Sequence, residues 1–169
     1  MRAAERCSSM TTLDAIDLRI LTVMQSQGNL SNLKIAEYVG LSPSPCLQRV
    51  NRLRKAGYIR GVTAILNIAK IFPSIVVFAK INLAEQTVRQ FTIFETAIQN
   101  IPEVLECSLM SGEFNYFLKV IARDLEHFNE LTQTMMEMGI GIKSFSFFVE
   151  IRNVKRTPVV PIDSLYQGK

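Results

Sequence analysis

The second half of the chain alternates between apolar runs of strand length and longer segments with helical periodicity. Strands and helices are predicted, in the order βαββαβ, over residues 74–83, 88–100, 104–110, 116–122, 125–138 and 142–151. This order is that of a ferredoxin-like fold, in which two helices cover one face of a four-stranded antiparallel sheet. It constrains the fold of the chain more than any other feature.

Some of these predicted strands are apolar at consecutive positions, as in VVF at 76–78 and FFV at 147–149. An antiparallel sheet with one face in water would alternate apolar and polar residues instead. Because two helices cover only one face of such a sheet, we expect the other face to pack on a second chain and form a homodimer. Core packing within one chain is the alternative explanation.

The first third of the chain has helical periodicity, interrupted by turn and capping residues. A helix is predicted over residues 14–27. Ser31 suits the N-cap of a second, short helix, and Gly40 allows a tight turn with positive φ after it. Ser42 suits the N-cap of a third helix, and Pro43 suits its first position. The sequence therefore predicts a helix-turn-helix.

Residues 58–66 (YIRGVTAIL) are rich in β-forming residues, at the place where a winged helix-turn-helix domain has its wing. The fold class is therefore α+β, a winged helix-turn-helix followed by a ferredoxin-like domain. The expected segments are a disordered or extended tail over 1–12, the winged helix-turn-helix domain over 13–62, a linker strand over 63–73, the ferredoxin-like effector and oligomerisation domain over 74–155 and a C-terminal tail over 156–169.

The net charge of +4 is distributed unevenly along the chain. Residues 1–62 hold nine Lys and Arg against four Asp and Glu, whereas residues 63–169 hold ten against eleven. Within the first part, the stretch 42–61 has five cations and no acidic residue. This asymmetry predicts a polyanion-binding N-terminal domain on a nearly neutral body.

A basic helix that follows a tight turn is the layout of a helix-turn-helix that reads DNA. The N-terminal residues of such a helix meet base edges, and flanking cations meet phosphates. The residues expected to face the groove are Ser42, Ser44, Gln48, Arg49 and Arg52, and those expected to contact the DNA backbone are Arg54, Lys55 and Arg60. The alternative is a solvated helix face, but such faces normally mix charges of both signs.

Three runs of sequence resemble the Lrp/AsnC (feast-or-famine) regulators: LDAIDLRIL at 13–21, VGLSPSPCLQRVNRLRKAGYIRGVTAILN at 39–67 and SGEFNYFLKV at 111–120. The resemblance extends over nearly the whole chain. It implies a winged DNA-binding domain and a ferredoxin-like effector and oligomerisation domain. It also implies a dimer that assembles further, frequently to an octamer, and that responds to an amino acid.

The resemblance also implies where an effector would bind. Amino-acid-binding members usually carry a Gly-Asp-x-Asp turn between the second and third strands of this domain. The candidate effector-binding residues here are Ser111, Gly112, Glu113, Phe114 and Asn115. Asn115 replaces a carboxylate that could hold an ammonium group, and Phe145 and Phe147 stand where some members have threonines. These departures predict an altered ligand or none, and a purely structural hairpin is the alternative.

The composition disfavours several other classes of protein. His127 is the only histidine, so metal sites built from several histidines are excluded. The three cysteines are far apart and include no CxxC pair, which predicts no zinc site, no disulfide framework and a reducing cytoplasm. No apolar run is long enough to span a bilayer. Asp14 and Asp17 lie near a helix start, where they suit the helix dipole.

The sequence thus predicts a cytoplasmic, sequence-specific DNA-binding transcriptional regulator without catalytic residues, metal or cofactor, modulated by an amino acid or a related small molecule. Two-fold symmetry predicts an inverted-repeat operator, with the two reading helices about 34–36 Å apart. One alternative is an architectural protein that binds DNA with little sequence preference and has no effector. Another is an enzyme on the same scaffold, because haem-pathway decarboxylases resemble this family, but such chemistry is associated with histidines.

Overall fold

The computed structural model describes residues 12–166, and its helices and strands lie close to the positions that the sequence predicts. The elements are α1 (Ala15–Ser26), α2 (Asn32–Val39), α3 (Pro43–Lys55), a 3-10 turn (Ile68–Lys70), β1 (Ile75–Leu83), α4 (Val88–Ile98), β2 (Val104–Leu109), β3 (Tyr116–Ala122), α5 (Leu125–Glu137), β4 (Ile142–Val149) and α6 (Ile162–Leu165). The order from β1 to β4 is the predicted βαββαβ.

The chain forms two units. Unit 1 joins Met1–Ile65 to Lys155–Lys169, and unit 2 is Leu66–Val154. The polypeptide therefore passes from one unit to the other twice, once after Ile65 and once after Val154. The tail expected over residues 1–12 lies outside the described residues except for Thr12.

Local signals fix the three helices of unit 1. The side chain of Asp14 accepts a hydrogen bond from the backbone N–H of Asp17 (2.8 Å), and the side chain of Asp17 accepts one from the backbone N–H of Asp14 (3.2 Å), which makes a capping box. Ser31 caps α2 by accepting from the N–H of Lys34. Gly40 ends α2 with a φ of 73°, a left-handed conformation that favours glycine.

Ser42 is the N-cap residue of α3, as predicted, but its side chain makes no capping hydrogen bond. The reason is the second proline of the SPSP run. An N-cap hydroxyl usually accepts from the N–H of the second or third helical residue, and Pro45, at the third position, has no N–H. Pro43 occupies the first helical position as expected, because that position needs no intrahelical N–H bond.

An apolar core joins the three helices of unit 1. Each helix contributes buried side chains, which are Ile20 from α1, Ile35, Ala36 and Val39 from α2, and Cys46, Val50 and Leu53 from α3. The last three residues recur at intervals of four and three, so they lie on one side of α3. The opposite side of α3 is thereby left in solvent.

Unit 2 is a four-stranded antiparallel sheet in the order β2-β3-β1-β4. Alternate residues of the central strand β1 are buried, from Val77 to Leu83. They pack with Phe94 and Ile98 of α4 and with Phe128 of α5 in one core. Both helices therefore cover the same face of the sheet, as a ferredoxin-like fold requires.

The other face of the sheet carries aromatic side chains. The rings of Phe78 and Phe117 are stacked with their centroids 5.7 Å apart. The Nζ atom of Lys80 lies 5.0 Å from the ring centroid of Phe114 and 5.5 Å from that of Phe148. Phe148 is 53% exposed. Neither helix of unit 2 covers this face, because α4 and α5 pack on the opposite one, which agrees with the apolar runs noted in the sequence.

The predicted β structure between the two domains is not observed in the described chain. Residues 58–66 form no strand, and the expected linker strand over 63–73 contains the 3-10 turn Ile68–Lys70 instead. A strand needs a neighbouring strand for its backbone N–H and C=O groups. All the described strands belong to the sheet of unit 2, so a β-rich composition alone cannot make residues 58–66 a strand.

The C-terminal segment is not a free tail, which differs from the expectation for 156–169. It groups with unit 1 and contains the short helix α6. Gln25 of α1 binds this segment through both the nitrogen and the oxygen of its side-chain amide. The Nε2 atom donates to the carbonyl oxygen of Val160 (2.6 Å), and the Oε1 atom accepts from the backbone N–H of Val160 (2.9 Å).

Candidate DNA-binding surface and effector turn

The solvent side of α3 is a continuous polar and basic surface. Its exposed side chains recur at helical spacing, and we name this surface the reading face. It consists of Ser44, Gln48, Asn51, Arg52 and Lys55. Four of these residues, all but Ser44, line one shallow cleft. The arrangement presents two amides and two cations along a single helix, which suits the width of a major groove.

Asn51 is a member of the reading face that the sequence analysis missed. It lies three residues after Gln48 and is exposed on the same side of α3. Its helical spacing from Gln48 is a signal for it, but Asn51 is neutral and therefore does not belong to the charge pattern that points to α3. An amide side chain can make a bidentate contact with adenine, so this position is chemically suited to base recognition.

Arg49 and Arg52 are held by carboxylates of α1. Arg49 Nη1 lies 2.6 Å from Asp14 Oδ2 and 2.9 Å from Asp17 Oδ1, and Arg52 Nη2 contacts Asp17 Oδ2. The side chains of Arg49 and Arg52 are 28% and 46% exposed, whereas that of Asp17 is fully buried. The carboxylates missing from stretch 42–61 are therefore supplied by another helix.

These contacts change the acidity of the groups involved. The backbone N–H of Asp17 lowers the pKa of the Asp14 carboxyl, and the Arg49 guanidinium lowers it further. In turn, Asp14 and then Asp17 raise the pKa of Arg49. Asp14 and Asp17 thus do more than suit the helix dipole, because they also bind α3. The helical spacing of Asp17 with the buried Ile20 was a signal that its side chain faces the core.

The other predicted DNA-binding residues lie in solvent. Ser42 and Ser44 are exposed at the N-terminal end of α3, and Arg54, Lys55 and Arg60 are exposed at and beyond its C-terminal end. Among the ion pairs of the described residues, none involves Arg54, Lys55 or Arg60. These three cations are therefore available to an external anion.

The predicted effector turn joins β2 to β3. Ser111, Gly112 and Glu113 are exposed, whereas Phe114 and Asn115 are half-buried. Gly112 has a φ of 131°, which a residue with a side chain rarely adopts. Phe114 lies beside Lys80, and the Asn115 side chain is bonded to the backbone of β1. The turn thus combines an exposed backbone with two side chains that are already engaged.

Among the described residues, neither a metal site nor a membrane-spanning helix accompanies these two regions. In residues 12–166, no group of three or more His, Cys, Asp and Glu is placed to hold a metal ion. His127 Nδ1 accepts a hydrogen bond from the backbone N–H of Arg123 (3.3 Å), which is a local contact near the start of α5. Within the same residues, no helix has both the length and the apolar character that a membrane span requires.

Protein-family models match both parts of the chain. Residues 13–60 match the winged helix-turn-helix DNA-binding model, and residues 76–160 match the Lrp/AsnC ligand binding domain. The leucine-responsive regulatory protein of Escherichia coli (strain K12) is 38% identical over 146 residues, which cover 86% of this chain and 88% of that protein. The protein of the same name from Haemophilus influenzae is 39% identical over 145 residues, covering 86% and 87%.

Solved structures agree in fold. A transcriptional regulator of Neisseria meningitidis, solved as an L-Met complex, has a TM-score of 0.85 and 29% identity and covers 92% of this chain and 100% of its own. An AsnC family transcriptional regulator from Agrobacterium tumefaciens has the same TM-score and 28% identity, covering 91% and 100%.

The fold, the reading face and the sequence matches together define a class of protein. It is a transcriptional regulator with a DNA-binding helix-turn-helix and a separate ligand-binding domain. The chain belongs to the Lrp/AsnC family. The predicted fold class, a winged helix-turn-helix followed by a ferredoxin-like βαββαβ domain, is confirmed.

Proposed function

We propose that the chain regulates transcription by binding an inverted-repeat operator as a homodimer, with α3 in the major groove, and that it acts by binding rather than by catalysis. The observation that carries the proposal is the reading face itself. One side of α3 is fixed in the core by Cys46, Val50 and Leu53, and the opposite side offers amides and cations to a partner. Such a surface matches the donors, acceptors and phosphates of a duplex.

Each residue of this surface has a distinct role in the proposal. The amides of Gln48 and Asn51 contact base edges, where a bidentate contact discriminates by about 1–3 kcal/mol. Ser42 and Ser44 act at the N-terminal end of the helix, where reading helices approach the bases. The phosphate contacts are made by Arg54, Lys55 and Arg60. Arg49 and Arg52 flank the amides with guanidinium groups that are bound to carboxylates.

Selection of genomic DNA fragments, followed by footprinting, tests the proposal and supplies an operator. Arg54→Ala should then weaken binding to operator and random DNA alike, and should reduce the slope of log K against log salt by about 0.9. Arg89→Ala is the matched control, because Arg89 is also exposed on a helix but lies on α4 of unit 2.

The amide variants Gln48→Ala and Asn51→Ala should behave differently from Arg54→Ala. They remove no charge, so we expect the salt slope to stay constant while the preference for operator over random DNA falls about tenfold or more. Equal affinity of the unaltered protein for selected and random DNA would contradict operator recognition and support an architectural role. Unchanged preference in both amide variants would show that α3 does not read the bases.

The homodimer is proposed from the aromatic face of the sheet. Phe78, Phe117 and Phe148 lie on the side of the sheet that α4 and α5 do not cover. A second copy of this face would remove them from water, and the Phe148→Glu variant should then shift the molar mass measured by light scattering toward that of a monomer. An unchanged mass would contradict this interface. Further assembly, up to an octamer, is measured in the same experiment.

An amino acid or a related small molecule is the proposed effector. The proposal is supported by the match of residues 76–160 to a ligand-binding domain and by the structural similarity to a Neisseria regulator that was solved as an L-Met complex. Within the turn, the exposed backbone from Ser111 to Glu113 is the part available to a ligand. Asn115 is less available, because its oxygen already accepts a hydrogen bond.

Calorimetric titration of the full-length protein with each L-amino acid tests the effector. L-Met and L-Leu are compared with their D-enantiomers, and a binder should also alter the operator affinity and raise the melting temperature with concentration. Gly112→Ala, which strains the turn, should weaken the binding of that amino acid. If no L-amino acid binds, the effector proposal fails, and operator recognition is unaffected by that result.

A further inference from the structure

Asp17 is exceptional among the buried residues of the described chain, because it alone carries a charge. Its side chain is completely shielded from solvent, and each of its two oxygens contacts an arginine of α3. Oδ2 also accepts a hydrogen bond from the backbone N–H of Asp14. A buried carboxylate is costly unless its hydrogen-bonding capacity is used, and here it is used by the helix that the proposed function places in the groove.

The two arginines converge on Asp17 from adjacent turns of α3. Arg49 and Arg52 are three residues apart, so they lie on neighbouring turns of the same side. Apolar contacts alone are weakly directional and permit a helix to rotate or slide by small amounts. Charge-assisted hydrogen bonds have strict geometry. The shared carboxylate therefore adds an angular constraint on α3 that Cys46, Val50 and Leu53 do not provide.

The same contacts alter the charge that DNA encounters. Asp14 and Asp17 offset the charges of Arg49 and Arg52, so this four-residue cluster is neutral. Three cations of the 42–61 stretch then remain outside any ion pair of the described chain, namely Arg54, Lys55 and Arg60. Non-specific affinity rises with the number of cations that meet phosphates, whereas sequence selectivity does not.

We propose that Asp17 is the positioning residue of the DNA-binding surface. It fixes the rotation of α3, and it keeps Arg49 and Arg52 from neutralising phosphates independently, so that binding energy depends more on base contacts. This inference rests on the proposed function and adds to it a residue that does not touch DNA. It also assigns to both arginines a role different from the direct groove contact expected from the sequence.

The isosteric variant Asp17→Asn tests both parts of the inference. The loss of the carboxylate charge removes the acidic partner of Arg52, while Arg49 keeps its contact with Asp14, so the slope of log K against log salt on random DNA should steepen by about 0.9, the value for one cation. Affinity for random DNA should rise, and the preference for operator should fall at least tenfold. A residue with only a structural role would lower stability without steepening the salt slope.

Glu37→Gln is the matched control. It changes the net charge of unit 1 by the same amount and releases an exposed cation, Lys34, from an ion pair on α2. The ion pair lies within α2 and includes no residue of α3, so we expect a slope change of no more than about 0.9 and an unchanged operator preference. Because both variants lose one negative charge and release one cation, the operator preference separates them: Asp17→Asn should lower it and Glu37→Gln should not.

Circular dichroism shows whether Asp17→Asn folds. If it does not fold, Arg52→Lys tests the inference in its place. Lysine keeps the charge for a phosphate but lacks the planar fork of arginine. We expect the operator preference to fall several-fold. Wild-type preference in Arg52→Lys, or an unchanged random-DNA slope in folded Asp17→Asn, overturns the inference. The salt slope on random DNA is measured without an operator, so it tests the role of Asp17 by itself. Failure of the proposed function would instead be seen in the unaltered protein, as equal affinity for selected and random DNA.

Discussion

The side-chain oxygen of Asn115 accepts a hydrogen bond of 2.8 Å from the backbone N–H of Leu83, at the end of β1. The backbone of Asn115 makes two more bonds, donating to the carbonyl of Ile81 (3.0 Å) and accepting from the N–H of Met110 (2.8 Å). This residue therefore ties the turn between β2 and β3 to the neighbouring strand. The bond to Leu83 needs an acceptor oxygen, which a carboxylate also supplies.

Replacement of Asn115 should separate its structural role from any role in effector binding. Asn115→Ala leaves the N–H of Leu83 without its partner and should lower the free energy of unfolding by about 1–2 kcal/mol. Asn115→Asp keeps an acceptor oxygen and should cost less. Urea denaturation measures both values. Equal stability of all three proteins would show that the bond contributes nothing.

Tyr116 should make stability fall at alkaline pH. Its hydroxyl donates to Glu95 Oε1 (2.8 Å), and burial, followed by the contact with Glu95, raises its pKa above the usual value. The unfolded chain therefore loses the proton first, and the contribution of Tyr116 is present below about pH 10 and is lost as pH rises further. Tyr116→Phe should flatten the decline of unfolding free energy above pH 10.

The exposed Tyr38 provides the control for that experiment. Tyr38 is 52% exposed, so Tyr38→Phe should leave the alkaline decline as it is in the unaltered protein. At neutral pH, Tyr116→Phe should cost about 1 kcal/mol, because one hydrogen bond is lost and the exposed Glu95 is free to bind water. If the unfolding free energies of Tyr116→Phe and the unaltered protein declined in parallel above pH 10, Tyr116 would not be the source of the alkaline decline.

Asp14 should contribute stability that is lost in acid. The N–H of Asp17, followed by Arg49, lowers its pKa, so its contribution is present above about pH 4 and disappears as pH falls through the lowered pKa. Asp14→Ala removes the helix cap and should cost about 0.5–2 kcal/mol at pH 7, with a smaller difference at pH 3. Asp14→Asn keeps a capping oxygen and should cost less. If the difference in unfolding free energy between Asp14→Ala and the unaltered protein did not change with pH, the ion pair with Arg49 would contribute nothing to stability.

The elements that could be predicted are those with local signals. The strands and helices of unit 2 begin and end within three residues of their predicted positions, because their periodicity is set by neighbours in sequence. The turn at Gly40 is equally local. Residues 58–66 show the limit of this reasoning, because their β propensity is high but the described chain offers them no adjacent strand.

The details of the reading face depend on contacts that are distant in sequence. The charge of the stretch 42–61 points to α3, but Asp17, which binds two of its arginines, is 32 residues from Arg49 and 35 from Arg52. A count of charges along the chain does not find such pairs. The hydrogen bonds between Gln25 and Val160, which are 135 residues apart, could not be predicted from the sequence for the same reason.

Gln25 should protect the C-terminal segment from proteolysis, because its amide binds both the N–H and the carbonyl of Val160. Gln25→Ala removes both bonds, so trypsin should cleave after Lys155 and Arg156 several-fold faster than in the unaltered protein, as measured by mass spectrometry over time. Gln27→Ala is the control, because Gln27 is exposed and its side chain is absent from the hydrogen bonds of the described residues. Identical cleavage rates in all three proteins would mean that this amide does not hold the segment.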